Sequence, residues 1–303
     1  MKNGKCAGLD GLNSEHYKYA SDRVSVLLSL FYTACFVHGH LPKELMDSII
    51  MPIVKDNKGD LTDKDNYRPL AITSVSSKII ELVYIDRYGD LLLSKDNQFG
   101  FKRKHGTDQC VFVLKEIIEY YVSFNSPVYV CYLDASKAFN RLNHWTLFDT
   151  LLKCGIPIFA VRLLKVWYTT QTFIVQWGSN LSTSFNVSNG VRQGGVLSPL
   201  LFNTYMDDLS VKLNETGVGC NINDVFINHL FYADDSVLLS PSAHGLQLLL
   251  NTCDEFANCK DITYNVKKTK CMIFLPKWLR DLKPHNFILG GRFLTTTCEH
   301  NYL

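Results

Sequence analysis

The sequence lacks a strong charge of either sign. Its 303 residues hold 31 Lys plus Arg against 29 Asp plus Glu, a formal net charge of +2. Nucleic-acid-binding proteins usually carry a basic excess, so the total charge by itself favours another class of protein. The chain is also too apolar to be a disordered protein, because 47% of its residues are hydrophobic and 20% are charged. At roughly 150 residues per domain, the length predicts one large domain or two coupled ones.

The sequence shows no segment for targeting or for crossing a membrane. The first 20 residues contain no apolar run of the kind found in signal peptides. The most apolar stretch, residues 24–37, is shorter than the roughly 20 residues that span a bilayer. It predicts a buried helix that ends near Gly39. We therefore expect an intracellular protein without a membrane partner.

Ten cysteines are present, but no two form a C-x-x-C pair, and the closest two, Cys253 and Cys259, have no histidines at zinc-finger distance. Cys35 and Cys131 lie in apolar runs, where a free thiol behaves as a small hydrophobe. This pattern predicts reduced, buried thiols.

Helical and extended patterns alternate irregularly, without an internal repeat or a linker. Helices are predicted at residues 21–37, 76–93, 107–124 (with Thr107 as its cap), 145–153, from Pro157 onwards, 199–213 and 246–259. Strands are predicted at residues 48–54, 128–133, 262–264 and 271–275, as a hairpin at 173–177 with 184–187, and as strand–turn–strand at 229–240. This mixture favours the α+β class over a doubly wound sheet.

Two sites place carboxylates directly after apolar strands. Asp134 follows the run 128–133, and Asp234 and Asp235 occupy the turn of the predicted hairpin. A charge beside an apolar strand needs compensation, and Mg²⁺ prefers one or two carboxylates plus waters and phosphate oxygens. The simpler alternative is that Asp is common in turns, and that Asp134 caps the helix near Trp145 or pairs with a lysine.

The order of the motifs decides between these interpretations. Asp134 is followed by GVRQGGVLSPLLFN at 190–203, YADD at 232–235 and NVKKTK at 265–270. Upstream of them stand GLDGL at 8–12, NYRPL at 66–70 and QFGF at 98–101. Over nearly the whole chain, this ordered set resembles the polymerase core of reverse transcriptases, specifically those of non-LTR (LINE-like) retrotransposons.

The resemblance implies a right-hand architecture of fingers and palm, with an antiparallel palm sheet packed on helices. It places the fingers at approximately 1–125, the palm at 126–280 with part of the fingers–palm junction near 190–200, and the start of the primer-grip region at 281–303. The family continues into a thumb and carries an endonuclease domain. We expect both to be missing from this chain and present in a full-length protein.

The same resemblance assigns the metal ligands by position in the motifs. They are the carboxylates of Asp134, Asp234 and Asp235 and the backbone carbonyl of Ala135. It implies two Mg²⁺ ions, with Mn²⁺ as a possible substitute, and an RNA-directed DNA polymerase that joins dNTPs to the 3′-hydroxyl of a DNA primer on an RNA template.

Basic residues are predicted to act on the phosphates. The planar guanidinium of Arg68 suits phosphate oxygens. Lys55 precedes a polar loop at residues 56–66, on the opposite side of that loop from Arg68. It is either a second phosphate ligand or a solvated loop charge. Lys268 is the predicted proton donor to pyrophosphate, with Lys267 and Lys270 as alternatives.

Three further residues are predicted to border the incoming nucleotide. Gln193 and Gly194 resemble the motif next to the nucleotide and template, where glycine allows close backbone approach. Phe139 stands where an aromatic ring of the family blocks a ribose 2′-hydroxyl, which predicts selection of dNTPs; the alternative is a core phenylalanine.

One departure from the family pattern is Asn140, where the family usually carries aspartate. It favours the alternative of a catalytically silent remnant that only binds RNA. A two-metal phosphodiesterase is disfavoured, because no histidine cluster flanks the carboxylates. Although the total charge is nearly neutral, two segments are locally basic. Residues 260–283 hold seven Lys and Arg against two Asp, and Lys102, Arg103 and Lys104 are consecutive. Such patches suit contact with phosphates.

Overall fold

The computed structural model describes residues 3–4, 6–136, 138–279 and 285–299. They form two compact units, the first within residues 1–93 and 143–201 and the second within 94–142 and 202–303. The predicted basic segment 260–283 and the predicted primer-grip region 281–303 therefore lie partly outside the described residues.

The helices and strands follow one another irregularly, as predicted. The helices are α1 (Ser14–Lys18), α2 (Asp22–His38), α3 (Lys43–Met46), α4 (Val75–Tyr88), α5 (Thr107–Ser123), α6 (Ala138–Arg141), α7 (His144–Lys153), α8 (Ile158–Thr170), α9 (Ser198–Glu215) and α10 (Ala243–Cys259). The strands are β1 (Ser48–Val54), β2 (Tyr67–Thr73), β3 (Val128–Asp134), β4 (Thr172–Trp177), β5 (Asn180–Leu181), β6 (Phe185–Asn186), β7 (Cys220–Ile222), β8 (Val225–Ile227), β9 (His229–Tyr232), β10 (Asp235–Ser240), β11 (Lys270–Phe274), β12 (Ile288–Leu289), β13 (Arg292–Phe293) and β14 (Thr295–Glu299). Short 3-10 helices lie at Lys64–Asn66 and Gly89–Leu92.

The first unit contains a sheet in the order β2-β1-β4-β5, with β6 also paired to β4. β1 and β2 form an antiparallel hairpin, and β4 runs parallel to β1. The predicted hairpin around Gly178 is confirmed, because β4 pairs with both β5 and β6. Helix α8 packs against α7, α2 and α3.

The second unit contains a five-stranded sheet in the order β14-β11-β3-β10-β9. Its strands are antiparallel, except that β14 runs parallel to β11. Helix α5 covers one face and α10 the other. The central strand β3 is therefore buried on both sides, which explains its nearly continuous apolar sequence. The predicted α+β class is confirmed.

Two predictions near the ends of elements are wrong. Helix α5 begins at Thr107, but the residue at its cap position is Gly106. Residues 262–264 do not form a strand, and only Tyr264 makes a single bridge, to Ala135. The ladder stops there because the chain turns after Asn265, whose carbonyl accepts the N–H groups of Lys268 and Thr269.

Helix α2 is not the buried helix that its apolar sequence predicts. Only one stripe is buried, formed by Tyr32, Cys35 and Phe36. On the other side, Val26, Leu27, Leu30 and Val37 are each more than half exposed. A helix that packs on one side of a layer buries only one stripe of its surface. Within the described parts of the chain, no helix is long and apolar enough to cross a bilayer.

The cysteines are mostly, but not all, buried as predicted. The buried free thiols are those of Cys35, Cys110, Cys131, Cys220, Cys253 and Cys271. Cys6 and Cys259 are exposed, and Cys154 is half-buried, so the prediction is wrong for these three.

Candidate active site

Two of the predicted aspartates are neighbours at one end of the second unit's sheet. Asp134 is the last residue of β3 and Asp235 the first of β10, and the antiparallel register makes them direct partners. Directly opposed residues have Cβ atoms about 4.5–5.5 Å apart on the same face of a sheet. Farther along the strands, α5 packs on that face.

Asp234 lies in the turn between β9 and β10. Tyr232 pairs with Asp235, so the turn consists of Ala233 and Asp234. Ala233 has a φ of 59°, and a positive φ at the first central residue is typical of a type II′ hairpin turn. The turn is shorter than predicted, because Asp235 already belongs to β10. The alternative in which Asp134 caps the helix near Trp145 is wrong, since the Asn143 side chain caps α7.

The environment of Asp235 disfavours its negative charge. Burial, followed by the charges of Asp234 and Asp134, raises the pKa of the Asp235 carboxyl above its ordinary value. More than a third of the residue is exposed, so water screens part of this repulsion. A cation near the three carboxylates offsets the same repulsion.

The donor set suits Mg²⁺, although the described side chains do not form a complete cage. Among the described residues, no three His, Cys, Asp or Glu side chains are grouped closely enough to hold a metal ion. Mg²⁺ needs no such cage, because it completes its octahedral shell with waters and substrate phosphates. The carboxylates at the end of the sheet therefore fit this ion, and the ligand assignment remains a prediction.

The predicted ligand carbonyl of Ala135 directly follows Asp134 in the chain and lies opposite Tyr264. The hydrogen bonds on either side of it run from Asn265 N–H to Asp134 O and from Ser136 N–H to Thr263 O, each at 2.8 Å. In an antiparallel ladder, two hydrogen bonds that flank a pair of opposed residues mark a non-hydrogen-bonded pair. Ala135 and Tyr264 form such a pair, so the N–H and carbonyl of Ala135 make no hydrogen bond to Tyr264. The Ala135 carbonyl therefore lies outside that ladder, as a metal ligand requires.

The turn that carries Lys268 is tied to the backbone of Asp134. Asn265 N–H donates to the Asp134 carbonyl at 2.8 Å, and Asp134 N–H donates to the Thr269 hydroxyl at 3.3 Å. Lys267 and Lys268 lie between these two anchors and are exposed. The structure therefore brings the Lys268 turn next to the end of β3.

Phe139 follows β3 in the short helix α6 and is half-buried. Its ring stacks on Phe202 of α9, with centroids 4.2 Å apart and planes at 12°. The Phe101 ring meets it edge-on at 5.8 Å. These contacts hold the ring in one orientation, which a residue that excludes a hydroxyl by shape needs.

Lys55 and Arg68 lie on the β1–β2 hairpin of the first unit. Arg68 is opposite Ile53, and Lys55 N–H donates to the Asn66 carbonyl at 2.8 Å. Because side chains alternate along a strand, Lys55 and Arg68 leave the same face of the hairpin. Arg68 is exposed, whereas the Lys55 ammonium donates to the Asp65 carbonyl at 2.8 Å. That bond supports the loop interpretation of Lys55.

Gln193 and Gly194 pack on β2, the strand that carries Arg68. The Gln193 carbonyl accepts the Ala71 N–H at 2.6 Å. Gly194 has a φ of 111°, and a Cβ there would lie 2.7 Å from the Ala71 carbonyl oxygen. A side chain would therefore push this loop away from β2.

Sequence reasoning missed the ion pair that holds this loop. The buried Glu81 carboxylate of α4 accepts hydrogen bonds from the buried Arg192 guanidinium and from the Val196 N–H. The Arg192 guanidinium also lies 4.5 Å from the centroid of the Trp167 ring. The available sequence signal was an acidic residue within the apolar run IIEL of α4.

Comparisons with known proteins agree with the motifs. A family model described as reverse transcriptase (RNA-dependent DNA polymerase) matches residues 54–298. The retrotransposable element R2 Pol polyprotein of Nasonia vitripennis is 28% identical, over 81% of this chain and 23% of that protein. The RNA-directed DNA polymerase from mobile element jockey of Drosophila funebris is 27% identical, over 100% of this chain and 33% of that protein. The chain thus spans about a quarter to a third of these non-LTR relatives.

A solved structure shares the fold. Apo telomerase from Candida tropicalis, truncated from its C-terminal domain, matches with a TM-score of 0.55 and 12% identity, over 82% of this chain and 55% of that one. This likeness confirms the predicted fold of fingers and palm. The predicted boundaries of fingers, palm and primer-grip region remain predictions.

Proposed function

We propose that this chain, which belongs to the reverse transcriptase (RNA-dependent DNA polymerase) family, joins dNTPs to the 3′-hydroxyl of a DNA primer on an RNA template. One observation carries the proposal. Asp134 and Asp235 are direct partners, with Asp234 in the adjoining turn. Carboxylates held together in this way suit a reaction at phosphorus that depends on divalent ions.

The proposed ligands of two Mg²⁺ ions are Asp134, Asp234, Asp235 and the carbonyl of Ala135, and we expect Mn²⁺ to substitute. Bound divalent ions supply Lewis acidity to the attacking hydroxyl and to the phosphate oxygens. The protein's own contribution is preorganisation. The β3–β10 register and the short turn hold the carboxylates at the end of a five-stranded sheet, and such preorganisation reduces reorganisation during the reaction.

Lys268 is the proposed donor of a proton to the leaving pyrophosphate. As the primer 3′-hydroxyl loses its proton to solvent and its oxygen bonds to the α-phosphorus, the bond from that phosphorus to the bridging oxygen breaks, and negative charge develops on pyrophosphate. The Lys268 ammonium provides both positive charge and a proton for that oxygen. Its turn is bonded to the backbone of Asp134, which supports this role.

The proposed contacts of the nucleotide follow its chemistry. Arg68 binds phosphate oxygens through its planar fork. Gln193 and Gly194 border the incoming nucleotide, while Lys55 adds positive charge near Arg68. Phe139 excludes the ribose 2′-hydroxyl. The chain acts as the polymerase part of a longer protein, together with a thumb and an endonuclease domain.

The test is the addition of one dNTP to a DNA primer on an RNA template, with the protein in excess over primer–template. Under these conditions, a single addition does not depend on processivity. We expect addition by the wild type with Mg²⁺, and about a 100-fold or larger loss in Asp134→Asn and Asp234→Asn.

Asp224→Asn is the matched control. Asp224 lies exposed in another hairpin turn of the second unit, with a φ of 66° that asparagine also tolerates. It should keep wild-type activity. RNA binding without any addition, or equal addition by the Asp134→Asn variant, would contradict the proposal, and the first result would instead identify an RNA-binding remnant.

A further inference from the structure

A segment before α5 extends the sheet of the second unit past its edge strand β9. The Phe99 N–H donates to the Phe231 carbonyl, and the Phe231 N–H donates to the Asn97 carbonyl, each at 2.8 Å. These bonds form a parallel bridge between Gln98 and Phe231. The segment thus lies against the strand that leads into the Ala233–Asp234 turn.

The Gln98 side chain is 4% exposed and binds both backbone groups of Ala233. Its Oε1 accepts the Ala233 N–H at 3.1 Å, and its Nε2 donates to the Ala233 carbonyl at 3.3 Å. Oε1 also accepts the Gly100 N–H at 2.7 Å. If the Gln98 amide were flipped, its NH₂ group would face the Ala233 N–H, and two donors would oppose each other. The hydrogen bonds therefore define the orientation in which Oε1 accepts and Nε2 donates.

Ala233 needs such support. Its φ of 59° lies in the left-handed region of positive φ, and a sparsely populated backbone conformation of this kind costs a residue with a Cβ about 1–3 kcal/mol. Conformations of this kind persist only where the surroundings determine them. Ala233 also directly precedes Asp234, so its backbone angles set the direction of that carboxylate and the start of β10.

The support for Ala233 is itself anchored. A Cβ at Gly100 would lie 2.1 Å from the Ala233 nitrogen, so glycine is required for the two backbones to meet. The Gly100 carbonyl accepts a hydrogen bond from Nδ2 of the buried Asn203 at 2.9 Å. Helix α9, the Gln98 segment and the turn are therefore linked by directed hydrogen bonds.

We propose that Gln98 is a positioning residue, which holds Ala233 in its left-handed conformation and thereby orients Asp234 and Asp235 toward a divalent ion. The expected effect of Gln98 on catalysis rests on the proposed polymerase function. The contact between Gln98 and Ala233 does not, because it depends only on the hydrogen bonds of the Gln98 amide. The Gln98 amide hydrogen-bonds to backbone groups of Ala233 and Gly100, and it takes no part in the reaction itself.

The test compares Gln98→Met with Gln171→Met. Both replace a buried glutamine by a side chain of similar size without an amide, and Gln171 is 1% exposed but lies in the first unit. In Gln98→Met, we expect the Ala233 amide to exchange hydrogen at least about tenfold faster. We also expect a several-fold higher Mg²⁺ concentration for half-maximal activity, with kcat lower by about tenfold or more and the dNTP KM unchanged.

Gln171→Met should change none of these quantities. Gln98→Asn keeps the amide but is too short to reach Ala233, so it should reproduce Gln98→Met, and it serves if that variant does not fold. Unchanged exchange at Ala233, or a lower kcat with an unchanged Mg²⁺ requirement, would overturn the proposal. If the wild type adds no nucleotide, the polymerase function fails, while hydrogen exchange still tests the contact between Gln98 and Ala233.

Discussion

Asp235 lies directly opposite Asp134 across β10 and β3, so two like charges are neighbours on one face of the sheet. Burial and these neighbouring charges raise the pKa of Asp235. A raised carboxyl pKa means that the folded state loses stability as pH rises through that pKa. The arrangement favours binding of a cation at some cost in stability.

The first prediction concerns this cost. In the presence of EDTA at neutral pH, Asp235→Asn should be more stable than the wild type, by less than about 1 kcal/mol because the residue is partly exposed. The difference should disappear at low pH, where Asp235 is protonated in both the folded and the unfolded wild type. Thermal unfolding across pH measures it, with Asp224→Asn as the control. A less stable Asp235→Asn at neutral pH would contradict the repulsion.

The second prediction concerns sugar selection. Phe139→Ala should raise incorporation of rNTPs relative to dNTPs by about tenfold or more, because the ring no longer blocks the 2′-hydroxyl. Phe202→Leu should raise it less, since it removes only the flat surface on which Phe139 stacks. Phe112→Ala is the control, because Phe112 is 62% exposed in the same unit. The measurement is single-nucleotide addition with each sugar, and equal discrimination in all variants would rule out the role of Phe139.

The third prediction separates the lysines. Lys268→Ala should lower the rate of single-nucleotide addition by about 100-fold, because pyrophosphate then leaves without a donated proton. Lys270→Ala should keep the wild-type rate, because Lys270 starts β11 opposite Tyr132 rather than lying in the turn. Lys267 lies in the same turn as Lys268, so a loss in Lys267→Ala alone would identify Lys267 as the proton donor.

The fourth prediction concerns the buried pair of Glu81 and Arg192. Arg192→Met should lower the free energy of unfolding by about 3–5 kcal/mol, because it leaves the Glu81 carboxylate buried without its partner. The double variant Glu81→Met with Arg192→Met should be more stable than Arg192→Met alone. The exposed pair of Asp149 and Lys153 supplies the control, and Lys153→Met should cost less than about 1 kcal/mol. Urea unfolding measures the wild type and the three variants, and a double variant no more stable than Arg192→Met would argue against the pair.

The fifth prediction concerns acid stability. Burial lowers the pKa of His229 to about 3, within hydrogen bonds to Ser210 and Asn228. A lowered histidine pKa adds stability above the ordinary pKa of 6.5, and this stability is lost as pH falls toward 3. His229 should therefore contribute about 1.4 kcal/mol per pH unit in that window. Urea unfolding across pH should show a smaller slope in His229→Asn, and an unchanged slope would mean that other groups dominate.

Much of the fold follows from local patterns. The apolar run of β3 and its terminal Asp134 were predicted because a strand buried on both faces has a nearly continuous apolar sequence. The same reasoning failed for α2, whose apolar sequence does not reveal that only Tyr32, Cys35 and Phe36 face the protein. Periodicity shows which residues are apolar, but it does not show how many sides of a helix are covered.

The motifs that carry the candidate site were readable for a similar reason. Asp134, Asp234 and Gly194 stand in short segments whose order along the chain is specific. Their partners were not readable in this way. The Gln98 contact with Ala233 spans 135 residues of sequence, and the contact between Glu81 and Arg192 spans 111.

The amino-acid sequence alone therefore specifies where strands end in carboxylates, which turns need glycine, and which family order the motifs follow, because these depend on neighbouring residues. The register that sets Asp235 opposite Asp134, the burial that joins Glu81 to Arg192, and the amide that holds Ala233 in a left-handed conformation emerge only in the folded chain. Each depends on hydrogen bonds and packing between distant segments, whose free energy arises only when those segments meet.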